Sequence, residues 1–192
     1  MLYQELLRDA RFFSLLTEID LDLAEETRLA RCPCGGVLHW ARYRRKPRGG
    51  PFGIGREVAI RQSLCCSVDG CRCRSTPPSV LFLGRKVFFG VVVLLVPILR
   101  EGLTPARFRR LEEELPVSRR TVQRWRRWWR ETVPETTWWR LTRSRLSDSP
   151  GMAAALPSAL MDAFALLPEA ADRTLAVLRL AAPLAASVGR AL

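Results

Sequence analysis

The feature that most restricts what this chain can fold into is the placement of its six cysteines. Cys32 and Cys34 stand in RCPCGG; Cys65, Cys66, Cys71 and Cys73 stand in CCSVDGCRC, about thirty residues on. Between the groups, short apolar alternations such as Val58 to Ile60 are broken by Gly- and Pro-rich turns, the pattern of short strands. Two cysteine turns in a small β region predict a zinc ribbon, in which each turn donates two thiolates and the pair closes a tetrahedral site. A Gly-rich turn lets backbone amides approach the sulfurs, and the metal supplies folding energy that a small apolar core lacks. The expected ligands are Cys32, Cys34, Cys66 and Cys71, the last favoured by the Gly70 before it. Cys65 and Cys73 are then packing side chains or spare. One residue, not the usual two, separates Cys32 from Cys34. His39, the one histidine, is an alternative ligand, although its place beside Trp40 in a strand suits a structural role better. The competing reading of the cluster is a set of buried thiols. The acidic, amphipathic start of the chain has no signal-peptide pattern, so a reducing, cytoplasmic setting is expected, where clustered cysteines mean metal more often than disulfides.

Charge separates the partner classes. The net charge is +12, and it is concentrated: residues 1–30 carry −4, residues 31–148 carry +16, and residues 149–192 balance. Such a field favours an anionic partner, whether DNA, RNA or an acidic membrane surface. The cations are nearly all Arg, Lys46 and Lys86 being the only lysines. Codon bias explains that ratio, but it does not explain the clustering.

The most basic stretch also has helical punctuation. Thr104 is a good N-cap followed by Pro105 at the first helical position, and Ser118 is a second N-cap. Phe108 and Leu111 are expected to face the core from the first helix, with Val117 filling the turn. Val122, Trp125 and Trp129 form one stripe on the second helix at helical spacing. This is the plan of a helix-turn-helix whose second helix exposes Arg119, Arg120, Thr121, Gln123, Arg124 and Arg127 to a major groove. Arg126 and Arg130 fall to the side, where the DNA backbone is the expected contact. Arg44, Arg45, Lys46 and Arg48, between the cysteine groups, are candidate phosphate contacts. The pairs Trp128–Trp129 and Trp138–Trp139 read as core packing with one member partly exposed, rather than as stacking platforms. The bland alternative is a solvated basic helix in a bundle.

The series RCPCGG, CCSVDGCRCRSTPPSVLFLGRKVF and VSRRTVQRWRRWW resembles the DNA-binding part of bacterial insertion-sequence transposases and their accessory proteins, over about residues 31–131. The resemblance implies a zinc ribbon followed by a helix-turn-helix that finds transposon ends in double-stranded DNA. It implies a separate catalytic transposase as partner, and a nucleoid-associated location. In such transposases a different domain carries an acidic triad. After residue 131 this chain has only Glu135, Asp148, Asp162, Glu169 and Asp172, in Ala-rich helical sequence. No enzyme activity is therefore expected, since a two-metal nuclease needs carboxylates converging from strands.

The expected fold class is α+β, with four regions: an N-terminal helical segment (1–30), the ribbon (31–86), the helix-turn-helix region (87–147), and a linker with a helical tail (148–192). Residues 3–17 read as one amphipathic helix, and Asp20 to Glu26 as a further short one. The apolar run 87–101 has only thirteen uncharged residues between Lys86 and Arg100, too few to span a bilayer. It reads as a buried helix interrupted at Pro97, and no membrane association is expected. The tail reads as two helices split near Pro168, whose apolar excess predicts association with a second copy, as a homo-oligomer, or with a partner. The rival functions are an RNA-binding ribbon, a membrane-associated protein using residues 80–99, and a nuclease with an unrecognised active site.

Overall fold

A computed structural model describes residues 2–51, 53–84, 88–102, 104–115, 117–146 and 152–190. The fold is α+β, predominantly helical with two small sheets. Part of the 148–156 linker region lies outside the described residues.

The N-terminal segment is two helices rather than one. Helix α1 (Leu2–Leu6) ends before Asp9, whose side chain accepts from the Arg11 amide and opens the twenty-residue α2 (Ala10–Leu29). The acidic stretch at 20–26 belongs to α2. Phe12, Phe13, Leu16, Ile19 and Ala24 line its buried face, and Asp20 lies on that face too. The Asp20 carboxylate accepts from the Ser79 hydroxyl at 2.5 Å and from the Val80 and Leu81 amides at 2.7 and 3.3 Å. One buried acid thus fastens α2 to the segment leading into the centre of the molecule.

That centre is α3 (Gly90–Gly102). Val91 to Leu95 are fully buried in succession, so this helix is covered on every side. Pro97 lies inside the helix and does not end it. Among the described residues no helix is long and apolar enough to cross a membrane. Helices α4 (Pro105–Glu114), α5 (Arg119–Arg127), α6 (Thr137–Thr142), α7 (Ser158–Ala163) and α8 (Ala170–Ala181) contribute to one continuous core with α1, α2 and α3, and α1, α5 and α8 pack directly on α3. Of the tail's apolar side chains, Leu160, Val177 and Leu178 are fully buried within the chain, whereas Leu166 is 99% exposed.

Strands β1 (Leu38–Trp40), β4 (Leu64–Cys66), β5 (Cys73–Thr76) and β6 (Ser187–Arg190) form one antiparallel sheet in that order. Strands β2 (Tyr43–Arg44) and β3 (Ile60–Arg61) form a separate antiparallel pair. The end of the tail, expected to be helical, is thus a strand that completes the ribbon sheet. The ribbon's own core is small, consisting of Cys32, Leu38, Leu64 and Cys66.

Candidate metal centre and basic helix face

The register of β1 and β4 explains how distant cysteines meet. Leu38 pairs with Cys66 and Trp40 with Leu64, so the start of β1 lies beside the end of β4. The turn before β1 and the turn after β4 therefore emerge at the same end of the sheet. In the first turn the Gly35 amide bonds to the Cys32 carbonyl and the Cys32 amide to the Gly36 carbonyl. In the second, the Cys71 amide bonds to the Val68 carbonyl.

Cys32, Cys34, Cys66 and Cys71 come together, all four sulfurs lying within 4.8 Å of one another. Cys32 Sγ is 3.7 Å from Cys71 Sγ, and Cys34 Sγ is 3.5 Å from Cys66 Sγ. These four residues can hold a metal ion. They are the four expected from the sequence, and Cys65, Cys73 and the exposed His39 stand outside the group. Gly36 was not singled out from the sequence, yet the site depends on it. A Cβ there would stand 2.6 Å from Cys66 Sγ and 2.7 Å from a Val68 methyl carbon. The doubled glycine of RCPCGG was the available signal.

The thiols are unequal. The Cys73 amide and the neighbouring sulfurs of Cys34 and Cys73 pull the Cys71 thiol down to about 6. The Val68 amide, donating to Cys66 Sγ at 3.4 Å, favours a thiolate there, but burial and the surrounding thiols outweigh it and push Cys66 up to about 12. Cys32 is also raised: the Cys34 amide lowers it, and burial with the Cys34 and Cys71 sulfurs more than reverses this. Crowded sulfurs that resist ionising together are the electrostatic condition that a cation relieves.

The second constellation is the pair α4 and α5. The Thr104 side chain accepts from the Arg107 amide, with Pro105 opening α4, and the Ser118 side chain accepts from the Thr121 amide to open α5. Phe108, Leu111, Val117, Val122, Trp125 and Trp129 are all buried, as their spacing predicts. Trp139 is buried as well, with Trp128 and Trp138 half-buried. Arg119, Arg120, Gln123, Arg124 and Arg127 lie exposed on the other side of α5. Thr121 does not join them. It is 8% exposed, and its hydroxyl is shared between Ser118 and the Arg124 guanidinium. Arg127 is 3.6 Å from Glu131, an exposed pair of little energetic weight.

Arg126 and Arg130 have a partner that the sequence did not reveal. Both donate to Glu101 Oε1, at 2.6 and 2.8 Å, tying α5 to the end of α3. Their spacing on one helix face is readable, but the carboxylate they share comes from an earlier helix and carries no local signal.

The basic loop divides. Arg44, Lys46 and Arg48 are exposed, whereas Arg45 is half-buried and donates to the Gly84 carbonyl. Arg48 forms an isolated bridge with Phe88, whose ring meets Trp125 edge-on at 4.9 Å. The loop therefore sits against the helix pair. No protein-family model, curated protein or solved structure matches this chain.

Proposed function

We propose that this chain is a zinc-containing protein that binds double-stranded DNA through α5, in the manner of the DNA-binding part of insertion-sequence transposases. The observation that carries the reading is the division of α5 into two faces. Val122 and Trp125, with Trp129 beyond them, anchor one face in the core, while Arg119, Arg120 and Gln123 stand exposed on the first turns behind a Ser118 cap. Arg119 and Arg120 make no ion pair with any described residue. Arginine presents a fork matched to guanine O6 and N7, and glutamine one matched to adenine N6 and N7. Exposed Arg44, Lys46 and Arg48 sit on the adjoining loop, where they suit phosphate and fix register without reading sequence.

The four-thiolate donor set and its spacing support zinc as the metal. With Zn–S bonds of about 2.3 Å, a regular tetrahedron has sulfur–sulfur edges of about 3.8 Å; two of the six edges here are 3.5 and 3.7 Å, and all lie within 4.8 Å. Four thiolates leave no open coordination position, so the metal has a structural role. It holds together a ribbon whose apolar core is four residues. The link to transposition, and a separate catalytic transposase as partner, rest on the resemblance of residues 31–131.

The experiment is binding of the zinc-loaded protein to random duplex DNA across a salt series, with sequencing of the retained fraction. The expected result is an enriched motif and an affinity that falls linearly on logarithmic axes as salt rises. Tighter binding to structured RNA than to any duplex at matched salt would overturn the reading.

A further inference from the structure

The hairpin β2–β3 brings two guanidinium groups to a cleft that the DNA-binding reading does not use. Arg61 on β3 is 1% exposed. Its Nη2 donates to the Pro77 carbonyl at 2.7 Å and the Ala185 carbonyl at 3.1 Å, while its Nη1 has no hydrogen-bond partner among the described residues. Arg45, just past β2, lies with Arg61 against the Phe82 ring, their guanidinium carbons 5.3 and 6.0 Å from its centroid. Both arginines line a cleft of about 440 Å³, together with Tyr43, Thr76 and Ser187.

The charge around this cleft is unbalanced. Among the described residues, two cations line it, and the carboxylate that acts on Arg61 is Asp20. Asp20 is already committed to Ser79, Val80 and Leu81. Burial makes the Arg61 charge costly, and Arg45 adds like-charge repulsion. A buried guanidinium N–H without an acceptor is expensive to leave unmade. What such a site lacks is an anion with several acceptor oxygens, near enough to serve both arginines and the hydroxyls. A phosphate meets that demand better than a carboxylate, because it offers more oxygens to a forked donor. The volume leaves room for the group that carries the phosphate, since pockets of this size take small organic ligands.

We propose that the cleft between β2–β3 and the Ala185–Ser187 segment binds a phosphate monoester, with Arg61 and Arg45 as its charged contacts and Tyr43 at its mouth. The site stands apart from α5 and does not depend on the reading of that helix. A free nucleotide and the 5′-phosphate end of a nucleic acid share the required chemistry.

The test is calorimetric titration of the zinc-loaded full chain, first with inorganic phosphate and then with adenosine 5′-monophosphate. Saturable binding at one site per chain is expected, weakened roughly tenfold or more in Arg45→Met, which keeps much of the stem and removes one charged donor. Tyr43→Phe, at a largely exposed ring, is the second variant and is expected to weaken binding less. Competition by the mononucleotide assigns the phosphate to a small ester. Competition by a 5′-phosphorylated duplex but not its 5′-hydroxyl counterpart assigns it to a nucleic-acid end. No saturable phosphate binding, or binding unchanged in both variants, overturns the proposal.

Discussion

The indole Nε1 of Trp129 donates to the carbonyl of Val93 at 3.0 Å. This carbonyl would ordinarily accept from the amide four residues on, which is Pro97 and has no N–H. The tryptophan at the end of the basic segment therefore repairs the gap that proline leaves in the central helix. This explains how α3 carries a proline while fully buried. Trp138 acts similarly on the Leu180 carbonyl, at 2.7 Å near the end of α8.

Trp129→Phe is expected to cost about 1–3 kcal/mol, because it leaves a buried carbonyl unpaired. Pro97→Ala restores the missing amide, so the tryptophan substitution should cost less in that background. A double-mutant cycle in urea measures the coupling. Equal cost in both backgrounds would show that the indole acts by packing alone.

Part of this arrangement is legible in the chain itself. Thr104–Pro105, Ser118 and the 122–125–129 stripe locate α4 and α5, because caps and apolar periodicity are local chemistry. The four sulfurs that meet are the four expected, because the two cysteine turns mark the cluster and Gly70 marks Cys71 within the second group. The rest depends on tertiary partners. Asp9 starts α2 in the middle of what reads as one amphipathic helix. Ser187–Arg190 is too short to show alternation, and it becomes a strand because β5 offers an edge. Pro97 reads as an interruption until Trp129 is known to serve the carbonyl it strands. Glu101 gathers Arg126 and Arg130 from twenty-five and twenty-nine residues away.

The buried acid on α2 has a pH signature. Burial, its largest influence, holds the Asp20 carboxyl above the ordinary 3.8, against the pull of Ser79, Val80, Arg61 and Leu81. The folded chain therefore holds this proton more tightly than the unfolded one. Its contribution to stability is full below 3.8 and is lost as pH rises through the folded value. Asp20→Asn cannot ionise, so the wild type should lose stability relative to this variant between about pH 4 and about pH 7. Urea denaturation of both at the two values checks this, and a constant difference would contradict it.

The cysteine cluster leaves no room for one more methyl group at Gly36. Gly36→Ala places a carbon within 2.6 Å of Cys66 Sγ, so zinc affinity is expected to fall at least tenfold with the four cysteines intact. Competition with a colorimetric chelator measures this. Cys71→Ser is expected to lose the metal and unfold the ribbon. Unchanged zinc content in Cys71→Ser would remove that residue from the ligand set.

In the metal-free chain the sulfurs should differ in reactivity. Amide and sulfur hydrogen bonds hold Cys71 below the ordinary thiol range, while burial and the surrounding thiols hold Cys66 above it, so Cys71 carries more thiolate at neutral pH. The thiolate is the nucleophile. After zinc removal, iodoacetamide should modify Cys71 well before Cys66, and zinc should protect both. Mass spectrometry of digests taken over time would show the order, and simultaneous modification would contradict it.

The claim that α5 reads duplex DNA is tested most directly by repeating the sequence selection with Gln123→Ala beside the wild type. Loss of a base contact predicts a motif relaxed at one position, with discrimination there reduced by roughly 1–3 kcal/mol. The affinity for random duplex and its salt dependence should be nearly unchanged, because glutamine neutralises no phosphate. A motif identical to the wild type's, or an equal loss of affinity on every sequence, would contradict the assignment of this face as the reader.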